Sequence, residues 1–156
     1  MKIDLTLSVQ FVLKDRERDM PLPTECKMYT IGYEVEVPPE FSSYIDKYLD
    51  GMETGVTPAY DAPKAIVKLW KNKVRRAYPE LWAQSNQYGD RKKLKVTDDT
   101  VIDAAICMSI DDVIDKYIDQ SSDAILESLG IEKPAETATH YLAGVFIRKN
   151  SWAVAK

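Results

Sequence analysis

Ile3, Leu5, Leu7, Val9, Phe11 and Leu13 take every second position of the opening segment, with Lys2, Asp4, Thr6, Ser8 and Gln10 between them. Side chains of a strand alternate between two faces, so this pattern specifies a strand whose apolar face has to be covered. A helix would scatter the same residues around its circumference. Further on, Tyr29, Ile31, Tyr33, Val35 and Val37 alternate with Thr30, Gly32, Glu34 and Glu36, which predicts a second strand antiparallel to the first. The run 140–147 gathers His140, Tyr141, Leu142, Val145, Phe146 and Ile147 around one Ala and one Gly, and Trp152 and Val154 follow it. The expected fold class is α+β: a small antiparallel sheet of about three strands, near residues 2–13, 27–37 and 140–149, packed by three to five helices.

Helical spacing accounts for much of the remainder. Pro38 and Pro39 end the second strand, then Phe41, Tyr44, Ile45, Tyr48 and Leu49 recur at helical intervals until Gly51 offers a stop. Asp61 is the expected cap of a second helix with Pro63 in its first turn; Ile66, Trp70, Val74 and Ala77 form the apolar side, flanked by Val67 and Leu69, and Pro79 closes it. Past Thr97, Ile102, Ile106, Ile110, Val113, Ile114, Tyr117 and Ile118 support one long helix, or two if Ser109 and Asp112 form a capping box. A further turn is expected over 123–129, ended by Gly130. The segments YIDKYLD at 44–50 and VIDKYID at 113–119 match while their flanks do not, which fits similar helix composition better than duplication.

At 156 residues and 45% apolar composition, one compact domain over 1–156 is expected. Residues 14–26, carrying DRERD and MPLPTE, are too long and proline-bearing for a tight turn and read as a projecting or draping loop; Met20 and Leu22 are its apolar contacts. Residues 80–96 read as an irregular basic connection. Cys26 and Cys107 lack any paired spacing, which points to a reduced, cytoplasmic setting. The longest run without a charged side chain, 137–147, is too short to span a membrane, and Asp4 interrupts any signal-peptide core.

Charge is sorted along the chain. Residues 64–95 hold ten Lys and Arg against two acidic residues, whereas 98–136 hold eleven Asp and Glu against two Lys, a division hidden by the total of -4. Lys64, Lys68, Lys71 and Arg75 fall on one line of the second helix, with Lys73, Arg76, Arg91, Lys92, Lys93 and Lys95 nearby and Tyr78, Trp82 and Tyr88 available to stack on bases. Lys suits point-charge attraction to phosphates better than the bidentate reading of guanine. On the acidic side Asp111, Asp115, Asp119 and Asp123 recur nearly every fourth residue, with Asp112 beside them, so a continuous helix would present a negative ridge. The density of this block exceeds what a helix needs for solubility, and like charges at that spacing cost a few tenths of a kcal/mol each. Such a ridge can imitate a phosphate backbone or dock in a basic groove.

Catalytic and metal motifs are not assembled. His140 is the sole histidine, and the chain contains no nucleophile elbow, Walker loop, dinucleotide glycine fingerprint or HExxH pair. The acidic residues lack the glycine-centred loop of an EF-hand, so no metal or other cofactor is assigned. The sequence therefore reads as a non-enzymatic protein-interaction module, a regulator or inhibitor using Asp111, Asp112, Asp115, Asp119 and Asp123, or Met20 and Leu22, against a partner protein with a basic surface. The alternative is non-specific nucleic-acid binding through the Lys64 to Arg75 face and the basic run 91–95. A symmetric homodimer through the sheet edges is compatible with either.

Overall fold

The computed structural model describes residues 1–80 and 96–155. Among them are three strands, β1 (Lys2–Asp15), β2 (Cys26–Glu34) and β3 (His140–Val154), and four helices, α1 (Ser42–Thr54), α2 (Lys64–Ala77), α3 (Asp98–Ile118) and α4 (Ser122–Leu129). This is the small α+β fold the sequence predicts. Contacts gather the chain into two units, one from Met1–Glu36 with Asp112–Lys156 and one from Val37–Asp111. The expected basic connection 80–96 lies outside the described residues except at its two ends.

In the first unit β1 is the central strand of an antiparallel sheet ordered β2-β1-β3. Ile3, Leu5 and Leu7 are fully buried and Val9 nearly so, each stabilising the fold by roughly 1.5–3 kcal/mol. The register sets Ile3 opposite Tyr33 and Val154, and Leu7 opposite Tyr29 and Lys149. Paired residues share a face, so Tyr33 and Lys149 flank the apolar stripe. The end of α3 covers it: the Tyr117 ring lies 4.3 Å from Tyr33, and Asp115 pairs with Lys149 at 2.9 Å. Ile114, Ile125 and Leu126 complete the core. α4 starts where Ser121 caps it by accepting from the Ala124 amide, and it stops at left-handed Gly130, after which the Ile131 amide donates to the Leu126 carbonyl.

β3 runs past its expected end at 149 to Val154, and two register shifts explain why its sequence does not alternate. Thr6 faces Ser151 while Leu7 faces Lys149, and Val12 faces Gly144 while Leu13 faces Leu142, so Asn150 and Ala143 are extra residues. Each bulge reverses the parity of the strand. Trp152 and Val154 thereby share a face with Ile147 and Val145. The 14–26 connection drapes along the sheet: Asp15 Oδ1 accepts from the Glu17 and Arg18 amides, Asp19 turns at a φ of 50°, and the Leu22 amide donates to the Leu13 carbonyl at 2.8 Å.

The second unit is built around aromatic residues. Phe41 stacks on Trp70 at 4.9 Å, and Tyr44 meets the Trp70 ring edge-on at 5.7 Å, so α1 and α2 are locked through one indole. Two sequence expectations are corrected here, and a third, left open between one helix and two, is decided. α1 passes through Gly51 and ends at Gly55, whose φ of 70° suits the left-handed stop. α2 begins at Lys64 after an extended Pro63 at the N-cap, which leaves Asp61 too far upstream to cap it. α3 is one helix across Ser109, because Ser109 is buried in the same stripe as Val101, Ile102, Ala105, Ile106 and Ile110; a break there would strand backbone groups inside the core. α3 belongs to the second unit through Asp111 and to the first from Asp112.

Gly51 is required by packing rather than by backbone conformation. A Cβ at this position would stand 2.8 Å from Pro58 Cδ and 2.9 Å from the Val56 carbonyl oxygen. Alanine in an open helical position gains up to ~1 kcal/mol over glycine, but overpacking of this kind costs about 1–3 kcal/mol. Gly51→Ala is expected to lower unfolding free energy in urea by about 1–2 kcal/mol; a stabilised variant would show that the 56–58 segment does not pack there.

Candidate functional site

The acidic positions fall into a definite arrangement. Asp112, Asp115, Asp119 and Asp123 are all exposed, and all belong to the first unit, while Asp111 is half-buried and belongs to the second. The expected single ridge is broken, because α3 ends at Ile118: Asp119 lies in the turn beyond it and Asp123 in the first turn of α4. Asp115 is held by Lys149, and Asp123 is paired with Lys133. The Asp123–Lys133 pair is exposed enough to be worth only ~0–1 kcal/mol, whereas Lys149 in the other pair is half-buried. Asp115 in the last turn of α3 and Asp119 just after it meet the negative end of the helix dipole, where carboxylates are disfavoured.

The basic positions are gathered on α2 in the second unit. Lys64, Lys68, Lys73, Arg75 and Arg76 are exposed, and Lys71 is half-buried and bridged to Asp98 at 2.6 Å. Val67, Trp70 and Val74 anchor the helix, whereas Ala77 and Leu69, expected on or beside the apolar side, are exposed. Tyr78 is exposed as well; Trp82, Tyr88, Arg91, Lys92, Lys93 and Lys95 lie outside the described residues. Met20 is exposed, but its carbonyl accepts from the Asp15 amide, and Leu22 is half-buried.

Two groupings escaped the sequence reading. At one end of the first unit, the Tyr141 hydroxyl donates to Asp19, Arg16 stacks over Tyr141 at 5.6 Å, and Arg16 Nε donates to the Thr137 carbonyl. His140 Nδ1 lies within hydrogen-bond distance of the Thr137 and Thr139 hydroxyls. These contacts tie the draped loop to the start of β3. The open sheet face exposes Met28 and Phe146, which alternation around Val145 and Ile147 could have disclosed.

The second grouping is a set of polar pairs in the second unit. Tyr60 donates to Asp103 Oδ1 at 2.5 Å while its amide donates to Asp99 at 3.2 Å, and the Tyr48 hydroxyl lies 3.1 Å from Cys107 Sγ. Their spacing at 99, 103 and 107 places them on one line of α3, a signal readable from sequence only once Tyr48 and Tyr60 are known to face it. Burial pushes the Cys107 thiol up, the Tyr48 hydrogen bond opposes this, and the carboxylates of Asp103 and Asp111 add to it. The group is therefore held as a protonated thiol, the opposite of an activated nucleophile. Both tyrosines are raised, foremost by burial and then by hydrogen bonding to their partners. Among the described residues no cluster of three or more metal-ligating side chains occurs, and no helix is long and apolar enough to cross a membrane.

Asp103 is also raised, first by burial and further by Asp99, against the lowering effect of Tyr60. A carboxyl raised on folding binds its proton more tightly in the native state, so native stability relative to a neutral side chain increases as pH falls through the shifted range. Asp103→Asn should thus be most favourable relative to the parent at neutral pH, with the difference shrinking on acidification in urea melts. A difference that grows toward low pH would contradict this. Compared with known proteins, the chain matches no family model, no curated protein and no solved structure, so its function has to be argued from its own residues.

Proposed function

We propose that this chain is a non-enzymatic protein-interaction module, a cytoplasmic regulator or inhibitor that docks the acidic surface of residues 112–123 onto a basic site of another protein. The observation that carries this reading is the mounting of exposed Asp119 just past the C-terminal end of α3, beside Asp115, which Lys149 already holds. A carboxylate there costs about 0.3–1 kcal/mol against the helix dipole, and a basic partner relieves that cost. Ile114, Ile125 and Leu126 beneath the surface are buried, so the carboxylates stand on a packed base and lose little freedom on binding. The stretches that form this unit carry fourteen acidic against ten basic residues, which favours approach of a cationic partner over longer range. Free Cys26 and Cys107 suit a reducing compartment.

The second reading, non-specific nucleic-acid binding, draws on α2, which holds six Lys and Arg and no acidic residue. It ranks lower because the stretch 37–111 as a whole carries eleven acidic and eleven basic residues, and phosphate affinity scales with the cations that displace counterions.

Charge reversal separates the two. With Asp112→Lys and Asp119→Lys together, both exposed and outside the core, proteins captured by the parent chain at moderate salt should be lost by the variant and eluted from the parent by raised salt. Retention of the same proteins by the variant with undiminished affinity would defeat the proposal. Fluorescently labelled single- and double-stranded oligonucleotides should show no saturable binding at low salt; binding abolished by Lys64→Glu and Lys68→Glu would favour the second reading.

A further inference from the structure

A cleft of ≈ 340 Å³ opens in the second unit between the C-terminal end of α1 and the middle of α3. Met52, Val56 and Pro58 give it apolar walls, Gly51 lines it where Pro58 packs close, and Tyr48 and Asp103 supply its aromatic and charged groups. Met52 and Val56 are 53% and 67% exposed, so the apolar walls are open to solvent.

Two independent sources of negative potential converge here. Asp103 gives one oxygen to Tyr60 as a hydrogen-bond acceptor and is not paired with a cation among the described ion pairs, and Asp99 lies one helical turn away. The other source is α1 itself. The Gly51 carbonyl accepts from the capping Gly55 amide, but the helix stops at Thr54, so the carbonyls of Met52, Glu53 and Thr54 have no helical amide ahead of them, and the last turn contains no basic residue to answer them. Among the described residues, no ion pair engages Asp103 and no basic residue stands in the last turn of α1.

We propose that this cleft binds an alkylammonium group, with the charged end between Asp103 and the carbonyl end of α1 and the apolar stem along Met52, Val56 and Pro58. The chemistry is that of a lysine side chain or of a free aliphatic amine. A metal ion fits poorly, since no set of three ligating side chains surrounds the cleft among the described residues, whereas an amine needs a single carboxylate, a few carbonyls and a surface for its methylenes. Tyr48 adds a ring that can attract the same charge. This site is separate from the acidic surface of residues 112–123 and stands or falls independently of it.

Titration of the isotopically labelled full chain, followed by amide chemical shifts, tests the assignment with three probes: pentylammonium chloride, lysine capped at both backbone ends, and capped norleucine as the uncharged counterpart. Pentylammonium or capped lysine should shift the amides of Gly51, Met52, Gly55 and Val56 saturably, with Kd in the millimolar range expected for one charge and a short stem. Tighter binding of capped lysine would identify a protein side chain as the source, and tighter binding of pentylammonium a free amine. Asp103→Asn keeps an acceptor for Tyr60 and should weaken binding on the order of tenfold. Met52→Lys, at an exposed position, should weaken it by supplying a competing cation. Equal response to norleucine and to the cations, or unchanged affinity in both variants, would overturn the proposal.

Discussion

The apolar face of β1 must be covered, and the first unit follows from that requirement. Ile3, Leu5, Leu7 and Val9 lie on the one strand with neighbours on both edges, so removing them from water depends on β2, on β3 and on something laid across the face. The end of α3 and then α4 supply the cover through Ile114, Ile125 and Leu126. Their inward sides are fixed by the core, so their outward sides are fixed too, and there the sequence places Asp112, Asp115, Asp119 and Asp123. The acidic surface is thus a consequence of the same packing that makes the strand a strand.

In the second unit, Trp70 has the corresponding role on a smaller scale. Phe41, in the turn just before α1, and Tyr44, in α1, close on it, and the cationic sides of α2 are turned outward as a result. Reactive groups are treated differently from surface charges. The Cys107 thiol and the Tyr60 hydroxyl each have a hydrogen-bonding neighbour, and burial above all raises the proton affinity of both, in Cys107 against the opposing Tyr48 hydrogen bond.

Legibility in the sequence depended on whether one period governed a segment. β1 was readable because its alternation is unbroken, and α2 because its cations and apolar residues keep separate lines. β3 was readable only in part, since the extra residues Ala143 and Asn150 each reverse its parity and make a regular two-sided strand look irregular. The end of α1 was misplaced because Gly51 looks like a stop while serving as clearance for Pro58. Ser109 looked like a cap for a similar reason: a small polar side chain fits a tightly packed stripe as well as a helix start. The pairing of Tyr60 with Asp103 and of Tyr48 with Cys107 joins residues far apart in sequence, and no local pattern announces it.

The proposed function rests on which charged surface accepts a counterpart, and that preference can be measured directly. Amide chemical-shift mapping of the full chain with a lysine-rich peptide, and separately with a single-stranded oligonucleotide, reports which charged surface accepts a counterpart. The account predicts saturable shifts from the peptide concentrated at 112–123 and fading with added salt, with the oligonucleotide leaving 64–77 unmoved at physiological ionic strength. Saturable oligonucleotide shifts along 64–77, together with a silent 112–123 segment in the peptide titration, would contradict it.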